Sequence, residues 1–226
     1  MSDGPAHITD PRIEEYVLDL AQLGGNPGVT PELLETLKVM EETARRLNHP
    51  ITGPYVGRTL YVLASLGSAR RIFDAGCGLG YSAAWIAAAT GDKAEILTVA
   101  NSAEHQMRSR EFHRRANLGS SFDYQVGEPT DILAEQTASF DLIYSDINKA
   151  AYPKMAQLAV SRLRPGGLYI SDSCLWYGKV CSSTTTRDAW TASIDQHNQW
   201  IFAQESLFST ILDQREGLLV AIKRQA

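Results

Sequence analysis

The stretch Arg71–Ser82 reads RIFDAGCGLGYS. Its first five residues form the short apolar run of a buried strand, with Asp74 at the strand end. Gly76, Gly78 and Gly80 follow at every second position, and a segment of helical character opens after them. Glycines let backbone approach a ligand closely, and the first turn of a helix offers unpaired N–H groups. In open α/β sheets such a strand–helix turn lies at the carboxyl edge, where ligands bind. The spacing is GxGxG rather than the GxGxxG of a dinucleotide pyrophosphate loop, which disfavours an NAD-dependent dehydrogenase. An acid just before the glycines suits a cationic amino-acid ligand better than a phosphate.

Outward from this loop, short apolar runs alternate with helical segments. RIFDA (71–75), ILTVA (96–100), FDYQV (122–126), DLIYS (141–145) and LYISD (168–172) read as strands, and 81–90, 103–117, 129–136 and 150–163 as helices. This order predicts an α/β fold, a doubly wound and mostly parallel sheet with right-handed crossovers. A helix over Trp190–Phe202 precedes FSTIL (208–212) and GLLVAIK (217–223), which together complete seven strands with an antiparallel edge.

Residues 1–67 read as a helical extension to a domain over 68–226. Asp10-Pro11 and Thr30-Pro31 have the form of helix starts, and GGNP (24–27) breaks the first helix. Ile13, Tyr16, Val17 and Leu20 predict one buried face; Leu33, Leu37 and Met40 predict a second, and Val56, Leu60 and Leu63 a third. These stripes need cover from the following domain, from a second subunit, or from both.

Composition removes several classes. The net charge of −5 leaves no footprint for nucleic acid, and RSREFHRR (108–115) reads as a solvated helix face. Cys77, Cys174 and Cys181 have neither a disulfide framework nor zinc spacing. MSDGPAHITD has no basic patch followed by an apolar run, and no segment has the length and apolarity of a membrane span. The expectation is a reduced, cytoplasmic compartment and a small-molecule partner. The five histidines lack metal spacing; His105 and His113 are expected to be surface or cofactor-side groups. HPITGPY (49–55) would approach the substrate mouth.

Two further segments follow strands at the same edge, SDINKAAYPK (145–154) and SDSCLWYGKV (171–180). Adjacent strand ends are close, so Asp146 and Asp172 either converge on one hard cation or cap the turns that follow. Trp176 and Tyr177 either form an aromatic wall for a planar substrate or pack the loop. CSSTTTRD (181–188) is polar and suited to a lid.

DAGCGLG resembles the first motif of class I S-adenosylmethionine-dependent methyltransferases, which have a Rossmann-like fold. The resemblance implies that Asp74, Gly76, Cys77, Gly78, Gly80 and Ser82 hold the methionine end of the cofactor, together with Asp146. Glu128, in VGEPTD, resembles the position beside the adenine. DINKAAY and DSCLWYG, with RLRPGG (162–167), REGLLVAIK (215–223) and ITGPYVGRTLYVLASL (51–66), resemble the cation-dependent O-methyltransferase family that includes caffeoyl-CoA and catechol O-methyltransferases. The resemblance runs over about residues 10–223 and implies a homodimer. It also implies Mg2+ or another divalent cation on Asp146, Asp172 and the position of Ser173, Lys149 as the base, and Tyr152, Trp176 and Tyr177 against the substrate.

Three positions depart from that pattern. Ser173 stands where the family has an asparagine ligand, and Asn148 where it has a second acid. Ala100 and Asn101 stand at the end of the second strand, where an acid would bind both ribose hydroxyls. All three face the ligand, so the sequence predicts altered or lost metal use. A metal-independent methyltransferase with Lys149 or a histidine as base is the alternative, and a scaffold that does not methylate is the second.

Overall fold

A computed structural model describes residues 10–23, 28–182 and 187–225. Three helices come first: α1 (Pro11–Leu23), α2 (Pro31–Leu47) and α3 (Gly53–Leu66). Then β1 (Arg71–Ala75), α4 (Tyr81–Thr90), β2 (Glu95–Ala100), α5 (Ala103–Arg115), β3 (Ser121–Val126), α6 (Pro129–Glu135) and β4 (Phe140–Ser145) alternate. They are followed by α7 (Tyr152–Arg162), β5 (Leu163–Ser171), α8 (Ala189–Phe202), β6 (Leu207–Leu212) and β7 (Leu218–Lys223). The sheet order is β3-β2-β1-β4-β5-β7-β6; the first five strands are parallel, and β7 is antiparallel to both its neighbours.

Burial explains why the strands read as apolar runs rather than alternating ones. Ile143 and Tyr169 face the layer of α7 and α8, whereas Leu142, Tyr144 and Ile170 face the layer of α3 and α4. Both faces of the central strands are therefore covered. Gly57 lets α3 settle directly against the Trp85 indole of α4, where any Cβ would collide.

The expected elements match within a few residues, with three differences. β5 begins at Leu163, because RLRPGG itself pairs with β4 through a register shift near Phe140. The segment expected as one helix over 150–163 is split, Lys149–Ala151 forming a 3-10 turn ahead of α7. The stripe on α1 is not buried: Ile13, Tyr16 and Leu20 are exposed, since α1 packs only along part of α3. The stripes on α2 and α3 are covered as expected. GGNP and part of the CSSTTTRD segment lie outside the described residues. Among the described residues no helix is long and apolar enough to cross a membrane.

Candidate active site

The parallel register brings three loops to one point. β1, β4 and β5 end level, with Ala75 opposite Ser145 and Ser145 opposite Ser171. The ladder then continues one residue into each loop: Asp146 N–H donates to the Ala75 carbonyl and Asp172 N–H to the Ser145 carbonyl, each at 3.0 Å. Asp146 and Asp172 are thus fixed side by side above the strand ends. They line a cleft of about 980 Å3, which also takes in Gly76, Gly78, Asn101, Glu128, Lys149, Ser173, Trp176 and Tyr177. Cys77 and Ser82 line an adjoining recess of about 20 Å3.

Three of the expected contacts lie behind the wall rather than on it. Asp74 is fully buried; its Oδ1 accepts a hydrogen bond from the Ser82 hydroxyl at 2.9 Å and its Oδ2 has no partner. Burial raises its pKa to about 7 against the Ser82 bond, with the Asp146 charge adding to the rise. Asp74 therefore orients Ser82 rather than facing the cleft. A Cβ on Gly80 would point at Ser109 and His113, away from any ligand. Tyr152 is also fully buried, so in place of a substrate contact it supports Lys149 from below.

Lys149 is the best-defined side chain of the site. Its ammonium donates to Asp146 Oδ1 at 2.8 Å and to the Tyr152 hydroxyl at 2.6 Å, and it sits over the Tyr152 and Trp176 rings at 4.6 and 5.7 Å. The Tyr152 hydroxyl donates in turn to the Asp172 carbonyl at 2.8 Å, tying the β4 and β5 loops together. Asn148 lines the cleft and caps the 3-10 turn, its Oδ1 accepting the Ala150 N–H at 3.0 Å. Trp176 lies 5.4 Å from Tyr177 and 6.0 Å from Trp190, ring centre to ring centre, and all three line the cleft. Ser173, Trp176 and Tyr177 all adopt left-handed backbone (φ 58, 45 and 54°), a conformation that costs side-chain-bearing residues energy.

The donors do not fit an octahedral divalent cation. Asp172 Oδ1 accepts the Ser173 N–H at 2.7 Å, and its Oδ2 accepts the Tyr144 hydroxyl at 2.9 Å. That hydroxyl lies 2.7 Å from Thr52 Oγ1, inside the protein. Asp146 is already neutralised by Lys149, and Ser173 offers only a short hydroxyl. Among the described residues no three His, Cys, Asp or Glu side chains are placed to hold a metal ion.

Several further groups line the cleft. His49 and His105, from the α2–α3 connection and the start of α5, face each other across the cleft with ring centres 4.5 Å apart. Burial and the neighbouring His105 charge both lower the His49 pKa. Arg215, Trp190 and Thr52 also line the cleft. Sequence signalled the 49–55 approach and left His105 as a surface or cofactor-side group, but gave no sign of Arg215 or Trp190, and Tyr144 reads as one more apolar strand residue. His113, expected at the surface or beside the cofactor, is buried and bonds the Gly80 carbonyl through Nε2 at 2.8 Å and the Tyr124 hydroxyl through Nδ1 at 2.9 Å.

With this geometry in hand, the similarities to known proteins are specific. A family model described as O-methyltransferase matches residues 28–224. A catechol O-methyltransferase from Niastella koreensis is 29% identical over 178 residues, covering 75% of this chain and 80% of that protein. The O-methyltransferase from Bacillus cereus, solved in complex with SAH, superposes with a TM-score of 0.81 at 24% identity, over 94% of this chain and 97% of that one. TomG, the O-methyltransferase of tomaymycin synthesis from Streptomyces achromogenes, was solved with SAM. It gives a TM-score of 0.81 at 22% identity, over 92% and 95% of the two chains. At these identities the two structures establish a shared fold.

Proposed function

The chain belongs to the O-methyltransferase family, and from that premise we propose that it moves a methyl group from S-adenosylmethionine to a hydroxyl of a small planar aromatic molecule, with Lys149 receiving the hydroxyl proton. The observation that carries this reading is the Lys149 ammonium itself, held at the cleft wall between Asp146, Tyr152 and Trp176.

The cleft has the volume for a cofactor and an acceptor together. Gly76, Gly78 and Asp146 would meet the methionine end, Ser82 would serve it from the recess, and Asn101 and Glu128 would meet the nucleoside. Asn101 offers the ribose one carbonyl oxygen and no charge. When bound, the cofactor supplies a methyl on a positively charged sulfur, so the acceptor oxygen gains the methyl, sulfur keeps the bonding pair, and the hydroxyl proton must go to the protein.

Lys149 is placed for that proton. The step requires Lys149 as the neutral amine beforehand, and the Asp146 carboxylate and the two ring faces would then stabilise the ammonium that forms. Asp146 and Tyr152 fix the amine at one point, so that orientation rather than chemical novelty supplies most of the rate. Trp176, Tyr177 and Trp190 would stack the acceptor ring.

The test is methyl transfer to hydroxylated aromatic acids, followed by Lys149→Met. Removing a positioned proton acceptor should cost about 10²–10⁴-fold in turnover, while calorimetric binding of S-adenosylhomocysteine stays intact. Lys149→Arg keeps the charge but cannot take the proton, and it should fail as well. Full turnover by either variant would remove Lys149 from this role. The uncovered α1 stripe also supports a homodimer, which light scattering of the wild type and of Leu20→Glu would decide.

A further inference from the structure

Resting on the reading above, we propose that a buried hydroxyl network occupies the place of a divalent cation in this cleft, and that the acceptor is therefore recognised by a single aromatic hydroxyl rather than by a vicinal pair.

The first argument is the commitment of the donors. Asp172 is 6% exposed, and each of its oxygens already accepts one hydrogen bond, from the Tyr144 hydroxyl and from the Ser173 amide. Tyr144 cannot turn aside: it is fully buried on β4, its ring packed in the layer shared with α3 and α4, and its hydroxyl touches Thr52 of the α2–α3 connection. A cation on Asp172 would have to share oxygens already oriented by the Tyr144 hydroxyl and the Ser173 amide.

The second argument is charge. The Lys149 side-chain nitrogen stands 2.8 Å from Asp146 Oδ1, so a dication on that oxygen would compete with the lysine for it. The third is geometry. Ser173 is locked in left-handed backbone by the loop and brings a hydroxyl, not a carbonyl oxygen. Mg2+ demands near-ideal octahedral oxygen donors and dehydrates reluctantly, so one carboxylate shared with a lysine, one bonded on both oxygens and one short hydroxyl form a poor site.

The consequence for the acceptor follows from chelation. A metal selects vicinal oxygens because both bind it; a lysine needs only one oxygen within reach. The second hydroxyl of a diol then contributes one ordinary contact, which a largely aromatic wall neither requires nor strongly rejects. The balance of the step is that given above: the oxygen gains methyl, sulfur keeps the pair, and Lys149 takes the proton.

Two measurements test this. The first needs no acceptor: Mn2+ is titrated into the protein saturated with S-adenosylhomocysteine and free Mn2+ is read by electron paramagnetic resonance. The signal should match buffer, and Asp172→Asn should not change it. Ser173→Asn with Tyr144→Phe should gain binding, and Ser173→Asn alone serves if the double variant does not fold. Wild-type Mn2+ binding that Asp172→Asn abolishes would overturn the proposal. The second compares 3,4-dihydroxybenzoate with 3-hydroxy- and 4-hydroxybenzoate under excess chelator. Transfer to a monohydroxy acid, unchanged by chelator, supports the proposal; transfer confined to the diol and lost with chelator overturns it. Absence of transfer to every acceptor would count against the proposed function, while the Mn2+ result still decides the metal question.

Discussion

Gly76, Gly78 and Gly80 have φ of 84, 50 and 87°, so each needs glycine for its backbone alone. What their missing side chains make room for is the protein. A Cβ on Gly76 would run into the Asp146 carbonyl, and one on Gly78 would lie 2.6 Å from His49 Nε2. The loop is thus pressed against the β4 loop and the α2–α3 connection, and its ligand-facing form is a result of that packing. Gly76→Ala should lose about 2–4 kcal/mol of stability through strain and displacement of Asp146, read by urea denaturation, and should lose S-adenosylhomocysteine binding with it. Gly91→Ala, with φ of 62° but open space around it, should cost only the backbone term. Equal losses at the two positions would refute the packing argument. The spacing of the glycines was legible from sequence because backbone conformation is local. Their neighbours were not, since His49, Asp146 and His113 reach them only through the fold. The same limit hid Tyr144: its hydroxyl matters through Asp172 and Thr52, which are 28 and 92 residues away.

The elements around the cleft differ in how they hold unfavourable backbone. Ser68, just past the end of α3, has φ of 46° on an exposed surface, where helices commonly end on a left-handed glycine. Ser68→Gly should raise stability by about 0.5–1 kcal/mol, measured by chemical denaturation, with methyl transfer unchanged. Tyr177 has nearly the same φ but lines the cleft beside Trp176. Tyr177→Gly should relieve similar strain yet raise the KM for the acceptor, because the ring that would stack it is gone. A Tyr177→Gly enzyme with unchanged KM would show that the loop is packing only. Strand and helix identities in this region were readable from periodicity, because both faces of the sheet are covered. The α1 stripe was equally readable, but the periodicity could not say what covers it, and among the described residues Ile13, Tyr16 and Leu20 stay exposed. The split of 150–163 was hidden for a different reason: Asn148 acts as a cap for the turn, a local bond that competes with continuing the helix.

The buried titratable groups of the whole molecule pull stability in opposite directions with pH. His113 and His197 are buried and neutral, their pKa values lowered to about 4, chiefly by burial. For these two the unfolded chain binds more protons below its ordinary histidine value, so their stability contribution is complete above about pH 6.5 and is lost as pH falls toward 4. Asp74 has the reverse sign. Its folded pKa near 7 exceeds the unfolded carboxylate value, so the folded chain binds the extra proton and gains stability as pH falls from 7 toward 4. Asp172 shifts the same way, by burial and by the nearby Asp146 charge. Each group changes the slope by about 1.4 kcal/mol per pH unit inside its window, so two histidines and two aspartates nearly cancel between about pH 4.5 and 6.5. The contributions of these four groups to the wild-type slope therefore oppose one another there. His197→Asn loses the bond to the Tyr169 hydroxyl and is weaker at pH 7, but its stability should rise on acidification because one opposing term is gone. Asp74→Asn should tilt the other way and lose stability as pH falls. Denaturant titrations at half-unit pH steps give the two slopes, and the comparison uses their signs rather than the absolute values, which lost contacts also change. Parallel profiles for wild type and both variants would mean that these side chains do not titrate in the fold as their burial requires.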